Sequence, residues 1–108
     1  MSMVLGFDCG FYKSIKDGVK TCTTRVEDKG LCVDDVVVLS FSPDDCGDVH
    51  DLVARIVNVS VYQFRFLDAI VAFKEGFRDV GLLRWCLKCF YPNIEEGDLC
   101  FVYEFELL

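Results

Sequence analysis

One short stretch of the chain, Gly18 to Arg25 (GVKTCTTR), concentrates hydroxyl and cationic side chains. It holds one lysine, three threonines and one arginine within six residues, in a chain whose formal net charge is −7. Hydroxyls beside lysine and arginine can bind an anionic or carbonyl-bearing ligand. A threonine hydroxyl becomes a nucleophile when a neighbouring base accepts its proton, and a deprotonated lysine amine can be that base. The same composition also suits an ordinary exposed strand, because threonine has a high β-propensity.

The spacing of these residues limits which side chains can meet. Along a regular strand Thr21, Thr23 and Arg25 share one face, whereas Lys20 would point to the other. Gly18 removes this conflict, because a left-handed glycine can end the preceding helix and leave Lys20 in a turn. The sequence therefore predicts that regular β structure begins at about Thr21. It also predicts that the Lys20 side chain points towards the Thr23 hydroxyl rather than away from it.

Length and composition indicate the class of protein. With 108 residues, 53% of them apolar, the chain can build one core, and residues 1–108 are expected to form a single domain. We find no apolar run of about 18 residues, the length that a membrane span needs. The beginning of the sequence also lacks the basic and long apolar stretches of a secretory signal. We therefore expect a cytoplasmic protein that does not bind membranes.

The acidic balance restricts the partners. Binding along a phosphate backbone needs a basic face, so a net charge of −7 disfavours extended duplex nucleic acid. It does not disfavour a local basic cleft that accepts a modified nucleoside or a short single-stranded RNA. The oligomeric state is not indicated by the sequence.

The cysteines suggest neither a disulfide framework nor a metal site. There are seven, an odd number, and they occur in a chain that can build a core without cross-links. Cys86 and Cys89 form a CxxC motif without a second pair at zinc spacing, and the single histidine, His50, lies far from them in the sequence. We expect buried free thiols, no metal and no cofactor.

The order of apolar patterns predicts the elements that must position the Gly18 to Arg25 segment. Strand and helix spacings follow one another in the order β-α-β-β-β-α-α-β, which lacks the regular alternation of parallel α/β folds. We expect an α+β fold, a small mixed or antiparallel β-barrel with about three flanking helices. In the last strand the aromatic residues alternate with Glu104 and Glu106, which predicts a single buried face.

These elements together resemble one family, the ASCH domains of the PUA-like barrel superfamily, over nearly the whole chain. Gly18-x-Lys20-Thr21-x-Thr23-x-Arg25 is close to the family's G-x-K-T-x-T-x-R element. Further along, Val33 to Val37 looks like its strand entry, with Asp34 in place of the usual glycine. The remaining similarities are Glu75-Gly76-Phe77 after a helix, Tyr91-Pro92 at the end of the next helix, and the closing aromatic strand.

The resemblance implies a cleft at one end of the barrel and a nucleoside or RNA ligand. Some members of the family remove the acetyl group from N4-acetylcytidine by hydrolysing its amide. Carried over by position, the catalytic residues of that branch are Lys20 as base, Thr23 as nucleophile and Glu75 as acid. Glu75 precedes Gly76 at an expected helix C-terminus, where the helix dipole would raise the pKa of a carboxyl and suit it to donate a proton.

Three further residues are candidates for substrate binding: Thr21 and Arg25 from the motif, and Tyr12 from the preceding helix. Arg25 can hold a carbonyl oxygen or a phosphate. Tyr12 can lean over the cleft or simply pack in the core. On the second helical segment Trp85 can stack on a base, although packing in a core or an interface is the commoner role of a tryptophan.

Three functions remain open from the sequence. The first is a nucleoside amidohydrolase that uses Lys20, Thr23 and Glu75. The second is a non-catalytic module that binds single-stranded RNA in the same cleft, and the third is a ribonuclease. The low content of basic residues favours a small substrate over long RNA, which places the amidohydrolase first.

Overall fold

The apolar patterns form five strands and three α-helices in the predicted order. The computed structural model describes residues 3–43 and 47–108. The strands are β1 (Met3–Asp8), β2 (Cys22–Arg25), β3 (Val36–Ser42), β4 (Leu52–Gln63) and β5 (Leu99–Leu107), the helices are α1 (Tyr12–Lys16), α2 (Ala69–Lys74) and α3 (Val80–Phe90), and short 3-10 turns cover Cys9–Phe11 and Phe64–Phe66.

The strands form one mixed sheet in the order β1-β3-β4-β5-β2. β1 pairs with β3 in parallel, and the other three pairings are antiparallel. In a flat sheet the two edge strands of this order, β1 and β2, would lie about 19 Å apart, because neighbouring strands are spaced by roughly 4.8 Å. Yet Arg25 Nη2 on β2 donates to the carbonyl oxygen of Gly6 on β1 at 2.7 Å. The sheet is therefore strongly curled, and its two edge strands face each other across a gap that we call the seam.

The predicted α+β barrel-like fold with three flanking helices is thus confirmed. The prediction that only one face of the last strand, β5, is buried is wrong. Tyr103 and Phe105 point into a core enclosed by the curled sheet. On the opposite face, Cys100 and Val102 are buried in a second core. The reason is that α2 and α3 pack on this outer face, which strand alternation alone does not reveal.

Both helices of this outer layer begin at an aspartate cap. Asp68 Oδ1 accepts a hydrogen bond from the amide of Val71 at 3.0 Å. Asp79 Oδ1 accepts one from the amide of Leu82 at 2.9 Å. Such caps satisfy amides that have no partner within the helix. In the described part of the chain, none of the helices is long and apolar enough to cross a membrane.

The described cysteines agree only in part with the expectation of free thiols. Five of them are free, and of these Cys22 and Cys100 are buried. Burial raises the pKa of the Cys100 thiol to about 11 and that of Cys22 further still, so both remain protonated. Cys9, in contrast, is disulfide-bonded. One disulfide bond does not produce a cysteine spacing that can be recognised in the sequence.

Candidate functional site

The end of α1 brings Lys20 to the site. Gly18 adopts the left-handed conformation with φ of 77°. Its amide donates to the carbonyl of Ile15, and the next amide, that of Val19, donates to the carbonyl of Ser14. This pair of bonds is a Schellman closure, which needs a residue with positive φ at this position. The predicted helix end at Gly18 is confirmed, and β2 begins two residues after Lys20.

The end of α2 is built in the same way and brings Glu75. Gly76 has φ of 89°, and the amide of Phe77 donates to the carbonyl of Ala72 at 2.9 Å. The two turns lie against each other, because a Cβ added at Gly76 would be 3.7 Å from the Cβ of Lys20. Two matching helix ends therefore place Lys20 and Glu75 side by side.

Lys20 and Glu75 form a buried ion pair. The Lys20 Nζ donates to the Glu75 Oε1 at 2.7 Å, and the two side chains are only 4% and 7% exposed. Burial raises the pKa of Glu75, since a carboxylate loses hydration, while the positive charge of Lys20 acts in the opposite direction. The direction agrees with the prediction, and burial is the largest cause of the rise. The rings of Phe7 and Phe11 lie 5.9 and 5.1 Å from the lysine Nζ.

Thr23 and Arg25 stand on the same face of β2, as strand alternation predicts. Arg25 Nε donates to Thr23 Oγ1 at 2.9 Å, and the guanidinium packs 4.9 Å from the ring centroid of Phe7. Because the Thr23 oxygen accepts this bond, its own proton is left for another partner. Burial lowers the pKa of Arg25 below its ordinary value.

These four side chains surround one cavity of about 210 Å³ that lies along the seam. Lys20, Thr23, Arg25 and Glu75 are among the residues that supply its charged and hydroxyl groups. Among residues 3–43 and 47–108 no cluster of histidine, cysteine and carboxylate side chains is arranged to hold a metal. The rest of the wall comes from Gly6, Phe7, Asp8, Phe11, Thr24, Phe77, Leu83, Cys86, Leu87, Phe90 and Tyr91.

Two of the predicted substrate-binding residues are not among the residues that line the cavity. Tyr12 turns into the core, where its ring stands edge-on to Phe41 and its hydroxyl shares a 2.9 Å hydrogen bond with His50 Nδ1. The Thr21 hydroxyl lies 3.5 Å from the carbonyl of Lys74 on α2. Their placement does not support contact with a ligand in this cavity. Arg25 is the third of these candidates, and it does line the cavity.

Several cavity residues were not identified from the sequence. Thr24 occupies one of the motif's variable positions, and Cys86 and Phe90 lie on α3. For Cys86 and Phe90 the signal in the sequence is helical spacing, which does not distinguish a face in the core from a face in a cavity wall. Trp85, the candidate for base stacking, is 67% exposed and does not line the cavity.

Comparison with known proteins identifies the fold. No family model and no curated protein sequence matches the chain. Among solved structures, an ASCH domain from Lactobacillus crispatus is similar with a TM-score of 0.69 and 17% identity, over 89% of this chain and 69% of that domain. A hypothetical protein matches with a TM-score of 0.74 and 18% identity, over 100% of both chains. A protein from Enterococcus faecalis matches with a TM-score of 0.74 and 14% identity, over 100% of this chain and 77% of its own.

At these identities the similarity concerns the fold. It covers 100% of this chain in one comparison and 89% in another. The chain therefore has the fold of an ASCH domain.

Proposed function

We propose that this protein hydrolyses the acetyl amide of a modified nucleoside such as N4-acetylcytidine. The observation that carries the proposal is the meeting of Lys20, Thr23 and Glu75 on one cavity, the same three positions that the resemblance to the amidohydrolase branch singles out. At about 210 Å³ the cavity is small, below the roughly 300–1,000 Å³ of pockets for drug-sized ligands. Its size suits a base with an acyl group better than a stretch of RNA.

The roles follow from the chemistry of the three side chains that line the cavity. In its neutral form Lys20 accepts the proton of Thr23, and the freed oxygen attacks the carbonyl carbon of the acetyl group. Glu75, whose pKa is raised by burial, donates its proton to the departing amine of the base. The guanidinium of Arg25, already bonded to the Thr23 oxygen at 2.9 Å, stabilises negative charge that develops beside it.

The second half of the reaction restores the starting state. Water attacks the acetyl ester on Thr23 and gives its proton to the Glu75 carboxylate. Lys20 returns its proton to the threonine oxygen as acetic acid leaves. The pair ends with the same number of protons as it began. A buried lysine and carboxyl that share a proton can therefore act as base and acid without exchange with solvent.

The mouth of the cavity also suits a planar ligand. Phe11 and Phe90 line it with ring centroids 6.5 Å apart and an interplanar angle of 44°. Phe90 is 56% exposed, which is unusual for a residue on the apolar side of a helix. Aromatic side chains bind bases by stacking on their faces. These rings support a nucleobase as the part of the ligand that enters the cavity.

The experiment measures acetate and cytidine released from N4-acetylcytidine. We expect Thr23→Val to lower kcat at least about 100-fold, because the nucleophile is removed while the side-chain volume is kept. Thr21→Val is the matched control: it removes the neighbouring hydroxyl, which lies outside the cavity, and should keep activity within about twofold. Thermal unfolding of each variant checks that it is folded.

A short single-stranded RNA, tested in parallel, separates the other functions. RNA binding without acetate release would replace the enzyme with a non-catalytic module. RNA cleavage that is lost in Thr23→Val would instead identify a ribonuclease. Equal acetate release by wild type and Thr23→Val would contradict the assigned nucleophile.

A further inference from the structure

One hydroxyl group in the cavity wall lacks the partner that buried polar groups normally have. Among residues 3–43 and 47–108, Thr24 Oγ1 is the single fully buried side-chain oxygen or nitrogen without a hydrogen-bond partner. The residue is 5% exposed. Leaving a buried hydroxyl unpaired is destabilising, so nearly all such groups in folded proteins are paired. The exception therefore calls for a physical reason.

Packing alone does not provide that reason. Thr24 lies opposite Val102 in the ladder with β5, on the face of β2 that α3 covers. The nearby cavity residues from α3 include Leu83 and Leu87, which are apolar. Valine has nearly the same shape as threonine and a high β-propensity. In this environment valine would fill the space equally well without the cost of an unpaired hydroxyl.

The position of Thr24 points instead to the ligand. β2 is an edge strand, so the cavity along the seam reaches residues from both of its faces, Thr23 on one and Thr24 on the other. The oxygen is covered in the conformation described, but threonine has three staggered χ1 positions. Such a rotation changes the direction of the hydroxyl on a side chain that lines the cavity.

We propose that Thr24 is a specificity-determining residue whose hydroxyl hydrogen-bonds the polar edge of a planar heterocycle in the cavity. The identity of that heterocycle as a nucleobase rests on the proposed function. The bond adds discrimination because none of the described residues competes for the hydroxyl. A ligand that lacks a hydrogen-bonding atom at this edge leaves the group unpaired, and sites of this kind reject such analogues strongly.

The role differs from that of Thr23. The Thr23 hydroxyl accepts a hydrogen bond from Arg25, whereas the Thr24 hydroxyl has no hydrogen-bond partner among the described residues. A contact made equally with the substrate and the transition state changes KM and leaves kcat unaltered. Thr24 therefore affects binding, and Thr23 affects turnover.

The test compares Thr24→Val, which removes the hydroxyl, with Thr24→Ser, which keeps it. For Thr24→Val we expect KM for N4-acetylcytidine, and Kd for cytidine, to rise about tenfold with kcat unchanged. In the absence of ligand the same variant should unfold at a temperature about 4 °C higher, since an unsatisfied group is gone. Thr24→Ser should keep wild-type KM and Kd within about threefold. Thr24→Ala serves as a second variant without the hydroxyl if Thr24→Val does not fold.

The outcomes separate this inference from the proposed function. Acetate release by the wild type together with unchanged KM in Thr24→Val overturns the inference alone. Binding of cytidine without acetate release, weakened about tenfold in Thr24→Val, overturns the proposed function and supports the inference. If the wild type binds neither N4-acetylcytidine nor cytidine, both are overturned. A purely structural role for Thr24 predicts altered thermal stability with no change in KM or Kd.

Discussion

At the scale of single residues, the buried Lys20–Glu75 pair is not explained by a contribution to stability. Its partners are 2.7 Å apart and almost fully buried. Removing two charges from water costs several kcal/mol per ion, and their mutual attraction often only balances this cost. A buried pair is therefore weak evidence for stability. On the proposed function, the pair at the cavity wall keeps a proton available for the reaction.

This pair makes stability depend on pH in a defined direction. Burial raises the folded-state pKa of Glu75 above its ordinary value of 4.5. Between 4.5 and that higher pKa the folded protein keeps a proton that the unfolded chain has lost. The contribution of Glu75 protonation to the free energy of unfolding is therefore complete below pH 4.5. It is lost as the pH rises through the folded-state pKa of Glu75.

We expect Glu75→Gln to remove this dependence, because glutamine does not titrate. Urea unfolding of wild type and Glu75→Gln between about pH 4 and 8 measures it. The free energy of unfolding of the wild type should fall, relative to that of the variant, as the pH increases. A difference between the two proteins that stays constant over this range, or that changes with the opposite sign, would show that Glu75 has no raised pKa.

At the scale of elements, the site depends on two helix ends that share one geometry. α1 ends at Gly18 and α2 ends at Gly76, both in the left-handed conformation. The amide of Thr21 donates to the carbonyl of Lys74 at 2.7 Å, which ties the strand after the first turn to the last turn of α2. The approach of Lys20 to Glu75 is therefore set by backbone geometry rather than by the flexible lysine side chain.

For Gly76→Ala we expect a loss of about 1 kcal/mol in the free energy of unfolding, because a residue with Cβ is strained at positive φ. Steric clash adds little, since the nearest atoms to the new Cβ would be at 3.6 and 3.7 Å, ordinary contact distances. Gly97→Ala is the control: its Cβ would meet open space and its φ is not in the left-handed region. Urea unfolding compares the two, and equal stability of Gly76→Ala and wild type would refute the backbone argument.

At the scale of the whole molecule, the cavity lies where the curled sheet fails to close by pairing of its edge strands. Arg25 spans this seam, bonded to Thr23 on its own strand and to the carbonyl of Gly6 on β1. Clefts with a few polar groups in an apolar wall are the usual form of small-molecule sites. The same arginine therefore shapes the site and holds the two edges of the sheet together.

We expect Arg25→Lys to lower the free energy of unfolding by about 2 kcal/mol, although the positive charge is kept. A lysine has no planar fork and cannot make both bonds at once. Arg65→Lys is the matched control, because Arg65 is exposed and, within the described part of the chain, its side chain hydrogen-bonds only to the nearby Gln63. Hydrogen exchange should also become faster in β1 and β2. Equal effects of the two substitutions would show that Arg25 does not hold the seam.

Much of the fold could be predicted from local pattern. The order of the elements, the end of α1 at Gly18 and the position of Lys20 in a turn were all predicted, because they depend on residues close in sequence. The second buried face of β5 could not be predicted. Cys100 and Val102 show an alternation typical of a half-exposed strand, and only the packing of α2 and α3 buries them.

The candidate site was predicted less completely. Lys20, Thr23 and Glu75 came from resemblance to a family, and their catalytic roles stay predictions. Tyr12 was expected near the cleft because it is close to the motif in sequence, but its ring belongs to the core. Thr24 was missed, since a hydroxyl without a partner can be recognised only when all its neighbours are in place.

By itself the sequence determined the kind of elements, their order and the chemical groups available, since spacing and conformational preference act over a few residues. Tertiary structure alone decided which groups meet. Lys20 and Glu75 are 55 positions apart, and their contact depends on two turns packed against each other. The seam, the cavity and the unpaired Thr24 hydroxyl likewise exist only because a five-stranded sheet curls until its edges face each other, an effect of packing that no local pattern records.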